Sequence, residues 1–194
     1  MPKLAFPKRH KHSEVRSREH LTPPEVDKLR KAARRIGRHG ERNDTMILLA
    51  YRHGLRVAEL IHLRWDQVDL EQGLLHVRRV KNGVPSTHPL TGTEMRALRK
   101  LKRLAGESTY VFLSERKGPL TASSVRKMIA QAGEHAELRF PVHPHQLRHG
   151  CGYKLANDKQ DTRAIQLFLG HRNIQHTVKY TELAAERFKN FWRD

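Results

Sequence analysis

Cysteine is nearly missing from this chain of 194 residues. Cys151 stands alone, so no intrachain disulfide can form, and a reducing cytoplasm is the fitting compartment. No apolar run is long enough to cross a bilayer, so no membrane association is expected. The N-terminus lacks the apolar core of a signal peptide, which argues against secretion. Acidic residues are scarce, 20 against 38 Lys and Arg, and the net charge of +18 calls for a polyanionic partner. That balance alone fits an RNA-binding protein as well as a DNA-binding one. Cys pairs and an HExxH motif are both absent, which leaves a zinc site at His143, His145 and His149 without its usual support.

What the chain does have is a dense stretch from His143 to Tyr180. Pro144 suits only the first turn of a helix, so a helix opens there. His145 and Arg148 then share one face at i and i+3. Leu147, Leu155 and the ring of Tyr153 can serve the buried side. Gly150 and Gly152 lower helix propensity by about 1 kcal/mol each and suit close approach of another backbone. Asp161 is an N-cap for a second helix through Ile165, Leu167 and Phe168. Gly170 can close it in the left-handed conformation, which presents His171 just past a helix end. A short helical turn from Ile174 to Lys179 carries Tyr180. A guanidinium, imidazoles and a phenol together suit phosphoryl chemistry. The planar Arg fork binds phosphate oxygens in pairs, and fixed donors stabilise the charge a phosphodiester gains under attack. A phenol, with an ordinary pKa of about 10, becomes a nucleophile where nearby cations favour its phenolate.

The remainder reads as a single α+β domain, mostly helical, with a small antiparallel sheet from about Trp65 to Leu90. Residues 1–20 form a basic tail, either plainly solvated or an arm along DNA phosphates. Folded structure starts at Leu21, where Thr22, Pro23 and Glu25 make a capping box for a helix with Val26, Leu29, Ala32, Ala33 and Ile36 inside. Asn43 or Asp44 is expected to cap the next helix, which runs through Met46 to Ala50 and ends at Gly54. Arg56 opens a short helix, with Glu59 one turn away to orient its guanidinium. Trp65 to Asp69, Leu74 to Val80 and Ser86 to Leu90 read as three strands, with Asn82-Gly83 suited to a tight type I′ hairpin turn. Thr91 and Glu94 cap a basic helix to Ala105 whose apolar stripe is Met95, Leu98, Leu101 and Leu104. Tyr110 to Leu113 is a brief extended segment. Thr121 caps a helix to about Ala136, with Val125, Met128 and Ile129 inside. Ser123, Ser124, Arg126 and Lys127 near its N-terminus either contact DNA or form a solvated face. Residues 183–194, with Leu183, Phe188, Phe191 and Trp192, form an amphipathic tail that caps its own core or docks on a neighbouring protomer.

Arg56, Lys81, the His145-Gln146-Leu147-Arg148-His149 box, Leu169-Gly170-His171 and Tyr180, in that order, resemble the tyrosine recombinase (phage integrase) family from roughly Leu21 to Tyr180. Gly54-Leu55-Arg56 with Glu59-Leu60 resembles that family's first catalytic-arginine box. The short length resembles the fimbrial phase-switch recombinases, which have no second DNA-clamping domain. The resemblance makes residues 21–182 the catalytic domain. It implies site-specific DNA recombination (integration, excision or inversion) without metal or other cofactor. Tyr180 would attack a phosphodiester of double-stranded DNA to give a 3′-phosphotyrosine and a free 5′-hydroxyl. Arg56 and Arg148 would bind the scissile phosphate, His171 would hydrogen-bond a non-bridging oxygen, His145 would assist proton transfer, and Lys81 would protonate the leaving 5′-oxygen. It further implies a homotetramer on DNA, exchange of the C-terminal tail between subunits, an accessory DNA-bending protein and a nucleoid-associated place in the cytoplasm. The rival readings are a non-catalytic DNA-binding regulator on the same fold and a relaxing, topoisomerase-like enzyme.

Overall fold

The computed structural model describes residues 19–80 and 83–182. Lys81 and Asn82, residues 1–18 of the expected N-terminal tail and the whole expected C-terminal tail, 183–194, therefore lie outside the described residues. Within them, eight α-helices surround a three-stranded antiparallel sheet: α1 Pro23–Arg35, α2 Gly40–Arg52, α3 Val57–Ile61, β1 Val68–Asp69, β2 Leu74–Val77, β3 Ser86–Pro89, α4 Gly92–Ala105, α5 Ala122–His135, α6 Pro144–Asn157, α7 Thr162–Leu169 and α8 Gln175–Glu182. The sheet order is β1-β2-β3, with Val68 opposite Leu75 and Val77 opposite Ser86.

The helix ends follow their capping residues. The Thr22 amide donates to the Glu25 carboxylate at 2.8 Å, and the Thr91 amide does the same to Glu94. The Thr121 hydroxyl accepts from the Ser124 amide, and Asp161 accepts from the amides of Arg163 and Ala164. Each cap satisfies amides that the helix itself leaves open. The core gathers around α2, whose Met46, Ile47, Leu48, Leu49 and Ala50 are all buried. α1 and α4 pack on this helix, and α6 crosses it on the way to α7 and α8.

Four expectations fail for identifiable reasons. Asn43 and Asp44 do not cap α2; they sit inside its first turns, because α1 supplies Arg30 and Arg34 to pair with the buried Asp44 carboxylate. Tertiary pairing thus overrides a local capping preference. Trp65–Gln67 is a 3₁₀ turn, stabilised by the Gln67 side chain accepting from the Arg64 amide, and only Val68 and Asp69 pair as strand. β2 stops at Val77, where it pairs with Ser86, so the strand expected to reach Val80 is shorter, and the expected Asn82-Gly83 turn includes Asn82, outside the described residues. Leu104, placed on the inner stripe of α4, is 73% exposed at the helix end.

A buried polar chain joins the sheet to the helices. His53 at the end of α2 meets Glu94 of α4 at 2.9 Å and His88 of β3 at 3.0 Å, and His88 meets the Ser86 hydroxyl at 2.8 Å. The His88 ring stacks on Phe168 of α7, centroids 3.8 Å apart. These contacts fix β3 against the C-terminal end of α7, next to Gly170 and His171.

Candidate active site

Arg56 is the N-cap of α3, and Glu59 answers it one turn later. The carboxylate accepts from the Arg56 amide and from its guanidinium, both at 2.9 Å. Burial pulls the Glu59 carboxyl up, but Arg79 and Arg56 outweigh that and hold it below the ordinary range. Arg56 itself keeps 28% of its side chain exposed, so its free N–H groups remain open to a ligand.

Gly54, just before α3, has φ +56°, a conformation that costs glycine little. A Cβ at this position would lie 2.4 Å from Leu169 Cδ2, so the close approach of α7 also requires glycine. The Gly54 carbonyl accepts from Arg148, which sits in the second turn of α6 and also donates to the Leu169 carbonyl at 2.7 Å. Arg148 is 2% exposed. Burial pushes its guanidinium down to about 10, and Arg56 and Arg79 add to the effect, so it remains a cation at neutral pH.

Gly170 closes α7 in the left-handed conformation (φ 67°, ψ 38°), and the His171 amide returns to the Gln166 carbonyl. His171 is thereby delivered past the helix end. Its Nδ1 meets the Thr177 hydroxyl at 2.8 Å, which fixes the ring. Burial, then Arg148 and Arg56, push the imidazole down to about 3. His145 is exposed on the first turn of α6, its ring centroid 4.2 Å from that of His149. Partial desolvation, then Arg148, Lys179 and Arg56, lower its pKa.

Tyr180 lies within α8, with its ring centroid 6.3 Å from that of His171. It is 1% exposed. The ring lies on Gly152 of α6, where a Cβ would approach Tyr180 Cε2 to 2.6 Å, and edge-on to Tyr153. Its hydroxyl shares a hydrogen bond of 2.8 Å with Nδ1 of His149. Burial raises the phenol pKa, and the nearby Arg148 only partly opposes this. Burial also pushes His149 down to about 3, with His145 and Lys179 adding to it, so this is a bond between neutral groups.

The structure therefore brings Arg56, His145, Arg148, His171 and Tyr180 into one basic cluster. Lys81 lies outside the described residues; its neighbour Val80 donates its amide to Glu59, beside Arg56. Ser123, Ser124, Arg126 and Lys127 are exposed on α5, and none of them enters the cluster. Among the described residues, no group of three or more His, Cys, Asp or Glu side chains is arranged to hold a metal ion, and no helix is long and apolar enough to cross a membrane.

Two residues of the cluster were not picked out by sequence reasoning. In the sequence His149 is a member of the box and of the unsupported zinc triad, with nothing linking it to Tyr180. Arg79 was passed over, although strand alternation from the buried Val77 puts Arg78 outside and Arg79 inside.

Comparison with known proteins identifies the family and the fold. A model of the phage integrase family matches residues 19–187. The type 1 fimbriae regulatory protein FimB of Escherichia coli K12 is 41% identical over 182 residues, spanning 91% of this chain and 90% of its own. The regulatory protein FimE of the same strain is 41% identical over 181 residues, with 90% and 91% covered. Among solved structures, the XerA recombinase superposes with a TM-score of 0.78 at 26% identity, over 90% of this chain and 65% of that one. The XerH site-specific recombinase in a post-cleavage complex with its palindromic difH substrate shares the fold, with a TM-score of 0.76 at 20% identity over 94% and 54%.

Proposed function

The chain belongs to the phage integrase family, and from that premise we propose how its residues divide the work of a tyrosine site-specific recombinase, which cleaves and rejoins double-stranded DNA through a 3′-phosphotyrosine. The observation that supports the assignment best is the convergence of two guanidiniums and two imidazoles on the neighbourhood of one tyrosine.

Arg56 and Arg148 hold the scissile phosphate. Arg148 spends one N–H on each of two main-chain carbonyls and has others left for phosphate oxygens. His171, with Nδ1 engaged by Thr177, offers Nε2 to a non-bridging oxygen. His145 lies at the open edge, where it can exchange a proton with the reacting groups. Tyr180 Oη attacks phosphorus, the P–O5′ bond breaks, and Lys81 protonates the departing 5′-oxygen. The new phosphotyrosine ester keeps the phosphodiester's energy, so a 5′-hydroxyl of another strand can reverse the step and complete an exchange. In the free protomer the phenol is buried on His149. Cleavage therefore requires α8 to shift, carrying Oη out of that bond and toward the phosphate.

Ser123, Ser124, Arg126 and Lys127 contact the DNA backbone or groove beside the cleavage point. The basic residues 1–20 add salt-dependent affinity. Four protomers assemble on two sites, residues 183–194 dock between them, and a DNA-bending protein assists. Depending on how two sites are arranged, the same reaction integrates, excises or inverts a DNA segment.

A nicked suicide substrate tests the core of this reading. Wild type should yield a protein-linked DNA band on a denaturing gel without added metal, and Tyr180→Phe should yield none while still binding the DNA. DNA binding by both proteins without linkage, on a substrate carrying the recombination site, refutes it.

A further inference from the structure

Arg79 belongs to none of the motifs discussed above, yet its side chain has no solvent exposure at all. Burying a guanidinium is costly unless its N–H groups are matched. Here Nη1 and Nη2 are matched by an unusual set of partners, while the buried Nε has no partner among the described residues. Arg79 donates to Glu59 Oε2 at 2.9 Å, to the Gly54 carbonyl at 3.4 Å, to the His53 carbonyl at 3.2 Å and to the Phe168 carbonyl.

Every segment that Arg79 touches runs directly into a residue assigned to the cleavage step. His53 and Gly54 lead into Arg56, and the same Gly54 carbonyl also accepts from Arg148. Glu59 grips the Arg56 amide and guanidinium. Phe168 lies near the C-terminal end of α7, just before Gly170 and His171. Arg79 itself is two positions before Lys81, and the intervening Val80 donates its amide to the other oxygen of Glu59 at 3.2 Å. Three stretches distant in sequence, residues 53–59, residues 79–80 and the end of α7, meet on one side chain.

We propose that Arg79 is a positioning residue for strand cleavage, one buried fork that sets the spacing of Arg56, Arg148 and His171. The inference rests on the roles given to those three residues above. Arg79 touches no reacting atom. A fork is needed because the acceptors lie in different directions, and lysine, with donors on a single nitrogen, cannot reach them together. The surroundings leave the side chain no other place. A Cβ at position 170 would come within 2.6 Å of Arg79 Cγ, and one at position 83 within 2.7 Å of its Cβ.

The test uses the full chain with Arg79→Lys, which keeps the charge and loses the fork. Thermal unfolding establishes that the variant is folded. A gel shift gives its DNA affinity, and the nicked substrate at saturating protein gives the single-turnover cleavage rate. The expected result is affinity within about twofold of wild type and cleavage slower by about 10²-fold, the scale of losing a preorganised donor. The decisive readout is a cycle with Arg56→Lys. If Arg79 acts through Arg56, the double variant is little slower than the slower single one. A merely structural Arg79 would lower the melting temperature, leave cleavage below that temperature unchanged, and give losses that multiply. Folded Arg79→Lys cleaving within about threefold of wild type, or multiplying losses, overturns the proposal. If Arg79→Lys does not fold, Gly83→Ala keeps the guanidinium and pushes on its stem; the same selective loss of rate supports the proposal, and a wild-type rate overturns it. Failure of the underlying assignment is seen separately, as wild type giving no Tyr180-dependent adduct or Arg56→Lys cleaving like wild type.

Discussion

Arg56 and Arg148 are assigned the same phosphate, but replacing them should have different consequences for stability. Arg148→Lys is the informative perturbation. In the folded chain two different nitrogens of Arg148 serve two buried carbonyls, Gly54 by Nη1 and Leu169 by Nη2. An ammonium offers all its donors from one nitrogen, so at least one carbonyl loses its partner in a site without solvent. A buried acceptor left unmatched costs about 1–3 kcal/mol. For a chain of this size each kcal/mol lowers Tm by about 2–4 °C, so the expected drop is about 2–12 °C. Arg56→Lys removes a partly exposed bond to Glu59, whose carboxylate keeps Arg79, the Val80 amide and the Arg56 amide. Its loss should stay below about 1 kcal/mol. Both variants should cleave the nicked substrate slower by about 10²–10³-fold. Differential scanning calorimetry and single-turnover cleavage measure the two quantities. Equal Tm values for the two variants, or Arg148→Lys cleaving within about tenfold of wild type, would refute the double role of Arg148.

The acid limb of stability should be steep. His88 and His149 are held neutral by burial, each pushed down to about 3 from 6.5. Stability is then intact above pH 6.5, falls as pH drops below it, and the loss is complete only below about 3. Each such histidine steepens the fall by up to about 1.4 kcal/mol per pH unit, and His88→Gln should flatten it in urea titrations. Glu94 acts in the same direction at lower pH. Burial raises its carboxyl, but His53 and the Thr91 amide hold it at about 2, so its contribution is present above 4.5 and lost as pH falls toward 2. Gly152→Ala should push the Tyr180 ring out of its resting place, since the added Cβ would lie 2.6–2.8 Å from three ring atoms. A stability loss of about 1–3 kcal/mol with faster nitration of Tyr180 is the expected pair of results, and unchanged nitration would count against the buried resting state. If Arg126 and Lys127 meet phosphates, replacing both with Ala should reduce the slope of log K against log salt by about 1.8, read from affinities at several salt concentrations.

Local chemistry made parts of this site readable and hid others. Pro144, Asp161 and Gly170 mark helix ends by rules that need no tertiary information, so α6, α7 and the presentation of His171 follow from the residues alone. The Glu59 contact to Arg56 is equally local, one helical turn. Asp44 could not be read in this way, because the arginines that claim it come from α1 and turn a good capping residue into a buried anion. The burial of Tyr180 was also hidden. It depends on Gly152 and His149, about thirty positions earlier, creating both a space and a hydrogen-bond partner. Arg79 is the clearest case. Its three carbonyl partners, His53, Gly54 and Phe168, are chemically anonymous in a sequence, since any residue carries a carbonyl.

The charge arrangement explains why the cluster can wait for DNA without collapsing on itself. Arg56 helps to lower the proton affinity of Arg79, and Arg56 and Arg79 both help to lower that of Arg148, which is the signature of cations held close together. Among the described residues a single carboxylate, Glu59, lies among them, and Arg79 and Arg56 already occupy it. Main-chain carbonyls supply the remaining bonds, and a carbonyl satisfies a donor without cancelling a charge. The terminal nitrogens of Arg79 and Arg148 are thus bonded largely to neutral carbonyls, Arg79 Nε has no partner among the described residues, and the site keeps an excess of positive charge. A phosphodiester supplies the missing anion, and at about 4 Å each cation contributes about 4 kcal/mol of attraction at an effective dielectric of about 20. The same field stabilises a phenolate, but only where it reaches Oη. While Tyr180 stays in its apolar seat on Gly152 and His149, burial outweighs Arg148 and the phenol keeps its proton. On the proposed assignment, phosphate capture and nucleophile activation depend on the same guanidiniums, and the tyrosine becomes reactive only on reaching the place where its target is held.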